Sequence, residues 1–258
     1  MRKALWGLAM VAVAAPVAAQ EQRFTKELRA GERIEIANIN GEVDVSQGTG
    51  RTAVVEVTKT VKEGDGNLVK AVMEEGAGLM RVCTIYLTRD PNRTTCSGDN
   101  SSNWGEGRRN RLNVEMRYVV RVPTGVAIEV ETVNGGVVLR GLDTPASVET
   151  VNGSIEFEAA GAHRLETVNG QIRARLTSAT WQGTLDIETV NGSIDLTLPA
   201  SFSADVRGET VNGGVSSDFP ITIEGRWGPK SFRGTIGSGG GRTLSLETVN
   251  GAIRLRRQ

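Results

Sequence analysis

The pentapeptide Glu-Thr-Val-Asn-Gly occurs six times without variation in this chain, at Glu131–Gly135, Glu149–Gly153, Glu166–Gly170, Glu188–Gly192, Glu209–Gly213 and Glu247–Gly251. Successive motif glycines stand 18, 17, 22, 21 and 38 residues apart, and the last gap is close to two periods. A degenerate copy, Asn38-Ile39-Asn40-Gly41, lies near the start. A fixed period of about 20 residues marks a repeat architecture, in which each unit is one supersecondary element that buries its apolar face against the next.

The flanks of the motif say what that element is. Apolar residues alternate with polar ones after the glycine, as in Val137/Leu139, Ile155/Phe157, Ile172/Ala174, Ile194/Leu196 and Ile253/Leu255, and before it, as in Ile128/Val130, Leu185/Ile187 and Leu244/Leu246. Period two means strands with one buried face. Each repeat therefore reads as strand, Asn-Gly corner, strand. Asn-Gly between alternating strands is also the strongest short hairpin signal, so a run of antiparallel hairpins competes with a stack of coils. A hairpin needs only a turn former. It gives no reason for Glu, Thr, Val and Asn to recur together, whereas stacking identical residues about 4.8 Å apart does. Ladders of Asn134, Asn152, Asn169, Asn191, Asn212 and Asn250 would form, each amide donating to one neighbour and accepting from the other. The motif glycines Gly135, Gly153, Gly170, Gly192, Gly213 and Gly251 are expected to supply a positive φ at the corner. The expected fold is all-β: a single-stranded parallel β-helix or β-roll solenoid with an N-terminal β-hairpin insertion.

Outward positions agree with side-by-side coils. Glu156/Glu158, Arg173/Arg175 and Asp195/Thr197 follow three consecutive motifs, and opposite charges across neighbouring strands stabilise. The motif glutamates do not fit so simply. Glu131, Glu149, Glu166, Glu188, Glu209 and Glu247 in register would repel. Either nearby Arg164 and Arg207 relieve them, or the row is an acidic binding stripe.

Met1–Ala19 reads as a secretory signal: Arg2 and Lys3, an apolar run, then small residues before Gln20. No later apolar stretch approaches the length of a transmembrane helix. Removing the signal's two basic residues leaves 28 of the 30 Lys+Arg against 30 Asp+Glu, and near-neutral charge argues against nucleic acid as a partner. Residues 20–122 form an N-terminal β region and residues 123–258 the repeats, within one elongated domain. Strands are expected over Arg33–Val45, Thr52–Val61, Leu68–Glu75, Leu79–Leu87 and Leu112–Val122, the last two hairpin-like around the polar loop Thr88–Arg111. That loop carries Trp104, a candidate ligand contact. Cys83 and Cys96 are the only cysteines, and in an exported protein they read as a disulfide. Ser231–Gly237 looks like an eroded repeat filling the long gap. The terminal Arg254, Arg256 and Arg257 read as a polar cap on the last coil.

No catalytic, metal or cofactor motif emerges. His163, the one histidine, falls in a corner as a tolerated half-buried residue. The glycine run Gly237–Gly241 lacks the strand-to-helix context of a dinucleotide site. With the export signal, Ile36-Ala37-Asn38-Ile39-Asn40-Gly41-Glu42-Val43-Asp44-Val45, the cysteine pair, Val122-Pro123 and the serial Thr-Val-Asn-Gly motifs, the chain resembles the bacterial "putative adhesin" family of exported domains of unknown function. That resemblance implies a β-helix or β-roll in the cell envelope and no catalytic residues. Parallel crossovers are normally right-handed. The expected role is a non-enzymatic, adhesin-like or scaffold protein of periplasm, outer surface or medium, contacting an envelope protein or glycan. The alternatives are a periplasmic sensing module that binds a glycan or small ligand, and a β-helix polysaccharide lyase or hydrolase.

Overall fold

The computed structural model describes residues 20–97, 112–178, 183–225, 228–239 and 241–258. The expected signal Met1–Ala19, Trp104 and most of the expected Thr88–Arg111 loop lie outside these residues. In chain order the strands are β1 (Gln20–Glu27), β2 (Arg33–Ala37), β3 (Val43–Gln47), β4 (Thr52–Glu63), β5 (Val69–Gly76), β6 (Leu79–Tyr86), β7 (Asn113–Val122), β8 (Ala127–Asn134), β9 (Val137–Asn152), β10 (Ile155–Asn169), β11 (Ile172–Leu176), β12 (Gly183–Asn191), β13 (Ile194–Leu198), β14 (Ala204–Thr210), β15 (Val215–Ser217), β16 (Thr222–Glu224), β17 (Lys230–Ile236), β18 (Arg242–Asn250) and β19 (Ile253–Arg257). One 3-10 turn, Gly66–Leu68, precedes β5.

Motif strands pair parallel and residue on residue. Glu131 faces Glu149, Glu149 faces Glu166, Glu166 faces Glu188, Glu188 faces Glu247 and Glu247 faces Glu209. This excludes the run of hairpins. The ladder containing the motifs runs β6–β2–β8–β9–β10–β12–β18–β14, and a second runs β7–β3–β9–β10–β11–β13–β19–β15. The long strands β9 and β10 belong to both, bending between them. Between the ladders lies one apolar core, with Ile34, Val43, Val137, Ile155, Leu165, Ile187, Leu196, Leu244 and Ile253 all buried. Burying each such side chain contributes about 1.5–3 kcal/mol.

Four sequence expectations change. The span Arg33–Val45 breaks at its Asn-Gly corner into β2 and β3, a full coil that stacks directly on β8 and β9. Strands β6 and β7 do not form a hairpin with each other. They flank β2 and β3 in parallel, so they make a coil of their own, with Thr88–Arg111 as its enlarged corner. The antiparallel pairings at this end are instead β5 with β6, and β4 with both β1 and β7. Ser231–Gly237 is no eroded coil either, since β17 runs antiparallel to β14 and to β16. Finally, the C-terminal coil is not terminal in space. Strands β18 and β19 insert between β12/β13 and β14/β15, and Arg254 reaches Asp195 at 3.1 Å instead of capping an end. The outermost strands here are the three-residue β15 and β16, and short edges offer little template for further pairing.

Candidate functional site

Alternation assigns each motif residue a direction: Thr inward, Glu and Val outward, Asn at the corner. All six motif threonines are buried, and five donate through Oγ1 to the glycine carbonyl of the adjacent coil: Thr150 to Gly135 (3.1 Å), Thr167 to Gly153 (2.9 Å), Thr189 to Gly170 (3.0 Å), Thr248 to Gly192 (2.9 Å) and Thr210 to Gly251 (2.8 Å). The asparagine amides form one chain running Asn212 to Asn250, Asn191, Asn169, Asn152 and Asn134, with each Nδ2 donating to the next Oδ1 at 2.8–2.9 Å. The motif glycines are not in the left-handed region; of the corner glycines only Gly41 is, at φ 124°. They are glycine for another reason. A Cβ on Gly153 or Gly170 would lie 2.0 Å from the carbonyl oxygen of the preceding motif glycine, the same oxygen that accepts the threonine bond.

Packing thus explains Thr, Asn and Gly but neither Glu nor Val. The six valines, Val133, Val151, Val168, Val190, Val211 and Val249, are each 39–41% exposed. They lie two residues from the glutamates on the same face, so a carboxylate row and an apolar row run side by side up the stack. The rows line a shallow trough of about 600 Å³. The valine row was missed in the sequence, although period two put it beside the glutamates.

The glutamate row is only partly neutralised. Arg164 bridges Glu149 (3.0 Å) and Glu166 (2.6 Å), one guanidinium spanning two rungs. At Glu188 and Glu247 the equivalent positions hold Asp186 and Ser245. Burial, reinforced by Glu166, Glu247 and Asp186, raises the Glu188 carboxyl above its ordinary value, and burial with Glu129, Glu149 and Glu35 does the same for Glu131. Two unit charges 4.8 Å apart repel by ~0.9 kcal/mol even in bulk water. Because the folded carboxyl titrates higher than the unfolded one, its contribution is fully present below the ordinary glutamate range. It is lost as pH rises through the raised value. Glu188→Gln is therefore expected to raise the melting temperature at neutral pH and to change it little at acid pH. A lowered melting temperature at neutral pH would contradict this account of the row.

At one end the row stops at the disulfide. Cys83 occupies, two rungs beyond Glu131, the outward position held by glutamate in the motif coils. It is fully buried, bonded to Cys96 with Cα atoms 5.7 Å apart. The start of the enlarged corner folds over it, held by Cys96 N–H donating to Glu74 and by Arg93 donating to the Thr95 and Cys96 carbonyls. His163 is exposed rather than half-buried, at an irregularity between β9 and β10 that turns it outward. Among the described residues no cluster of three or more His, Cys, Asp or Glu could hold a metal ion. None of their helices is long and apolar enough to cross a membrane.

Residues 28–256 match the family model described as Toastrack DUF4097. Among solved structures, a "putative cell adhesion protein" from Clostridium sporogenes aligns over 93% of this chain and 100% of its own, with 13% identity and a TM-score of 0.51. A "putative adhesin" from Bacteroides fragilis covers 92% and 97% with 10% identity and a TM-score of 0.31. A "putative lipid binding protein" from Parabacteroides distasonis covers 90% and 96% with 12% identity and a TM-score of 0.28. The first likeness speaks to fold alone, and the other two carry no argument. No curated protein matches the chain.

Proposed function

We propose, on the premise that this chain belongs to the Toastrack DUF4097 family, that it is an exported, non-catalytic, adhesin-like protein that holds an envelope component on its glutamate–valine face. In this reading the stack is a right-handed β-solenoid, the hand that parallel crossovers take. One observation carries the proposal. Glu and Val face solvent in all six copies, and stacking accounts for every other motif residue. A row of like charges lowers stability, so its sixfold repetition is better understood as a surface kept for contact. The valines beside it supply apolar area that a partner would cover.

The test is binding of the purified mature protein to envelope fractions of the producing cells. The triple variant Glu149→Gln, Glu166→Gln, Glu188→Gln, with circular dichroism unchanged, is expected to bind at least about tenfold more weakly, as when several contact residues are lost together. Undiminished binding would reject the face as the contact surface. Turnover of a polysaccharide by the wild-type protein would reject the non-catalytic reading.

A further inference from the structure

We propose that the partner of the glutamate row includes a second copy of this chain, docked through the arginines on the opposite sheet. The inference rests on the reading of the row as a contact surface and commits it to one occupant.

The two ladders carry different charge patterns. The motif ladder presents glutamate at six successive rungs. The outer face of the second ladder instead alternates acid and base, with Arg140, Arg173, Arg175, Arg254 and Arg256 interspersed with Asp44, Glu156, Glu158 and Asp195. Several of these arginines are already engaged: Arg140 with Asp44 at 3.6 Å, Arg173 with Glu156 at 4.0 Å and Arg254 with Asp195 at 3.1 Å. Arg175 and Arg256 are exposed and have no ion-pair partner among the described residues. They flank Thr197 in register, two rungs apart. Glu188, Glu247 and Glu209 also span two rungs. Both sets are spaced by the same interstrand distance, so arginines set by one ladder meet glutamates set by the other without slippage. Arg164 shows how an arginine sits on this row, one guanidinium across two carboxylates. The Glu188–Glu247 step, flanked by Asp186 and Ser245, has no such arginine among the described residues.

The two faces differ, so the contact is heterologous and does not close on itself. Each copy docked by its arginine face still offers its glutamate face. Assembly therefore grows with concentration and dissolves with salt, as exposed ion pairs do.

Sedimentation velocity on three proteins tests this: wild type, an acid-face variant (Glu188→Gln, Glu209→Gln, Glu247→Gln) and a base-face variant (Arg175→Gln, Arg256→Gln), each with its fold checked by circular dichroism. At low salt the wild type is expected to at least about double its weight-average mass as concentration rises, and to return to monomer at high salt. Each variant alone stays monomeric. Mixed one to one, they form a dimer and nothing larger, because each contributes its one intact face. A wild type that remains monomeric at low salt, or a mixture that remains monomeric, overturns the proposal. The base-face variant keeps its glutamate row, so its undiminished binding to envelope fractions would leave the broader functional reading standing when self-association fails.

Discussion

Gly170→Ala is expected to destabilise the protein by about 4 kcal/mol, lowering its melting temperature by roughly 10 °C. The added methyl would lie 2.0 Å from the Gly153 carbonyl oxygen and 2.5 Å from its carbon. The nearest atoms are all backbone of the neighbouring coil, so no side-chain rotation can relieve the clash. Opening the coils to admit the methyl also stretches the Thr167 bond to the same oxygen and the Asn169 bond to Asn152. Gly214→Ala is the matched control. It adds a methyl where nothing lies within 4 Å, on a backbone outside the left-handed region, and should fall within about 0.5 kcal/mol of wild type. Thermal melts of the two variants decide the matter. Equal melting temperatures would mean that the close approach of stacked glycines does not hold the coils at their spacing.

Asn38→Ala should cost about 3 kcal/mol, because it breaks a buried network rather than one bond. Asn38 is 4% exposed and sits where the motif coils carry their threonine. Its Nδ2 donates to the carbonyls of Gly41 and Met116, both at 2.9 Å, and its Oδ1 accepts from the Thr84 hydroxyl at 2.9 Å. Thr84 in turn meets the Tyr118 hydroxyl at 2.8 Å, and burial raises the pKa of that phenol far above its ordinary value. The Gly41 carbonyl is the oxygen that Thr132 would use by analogy with every later motif. With Asn38 on it, the Thr132 hydroxyl is the one buried side-chain polar atom without a partner among the described residues. Thr132→Val is therefore expected to be neutral or stabilising, whereas Thr167→Val loses a bond and leaves the Gly153 carbonyl short of a donor. Urea titrations of Asn38→Ala, Thr132→Val and their double variant give the coupling directly. A destabilising Thr132→Val would show that its hydroxyl is satisfied after all.

The parts of this architecture that come from period two and from exact repetition were legible in the sequence. Stacked motifs, an asparagine ladder, the alternation Glu156–Arg173–Asp195 and the cysteine pair all follow from side-chain spacing and chemistry. The roles of the glycines were not. A positive φ and a close backbone approach both select glycine, and only the geometry of the neighbouring coil tells them apart. Coil order was equally hidden, because six identical pentapeptides carry no information about which lies on which. That is why Ser231–Gly237 passed for a repeat and Arg254, Arg256 and Arg257 for a cap. The valine row was available from the same alternation that placed the glutamates, but its meaning depends on solvent exposure, which spacing alone does not report.

The insertion of β18 and β19 beneath β14 and β15 has a kinetic consequence. A growing chain presents Glu209–Gly213 before Glu247–Gly251 exists, and Glu188–Gly192 offers the earlier segment the same pentapeptide surface it will finally meet on the later one. The five residues Pro199–Ser203 between β13 and β14 are long enough to bridge one rung or two. A provisional stack one rung short can therefore form first, and the final coil must wedge it open to complete the molecule.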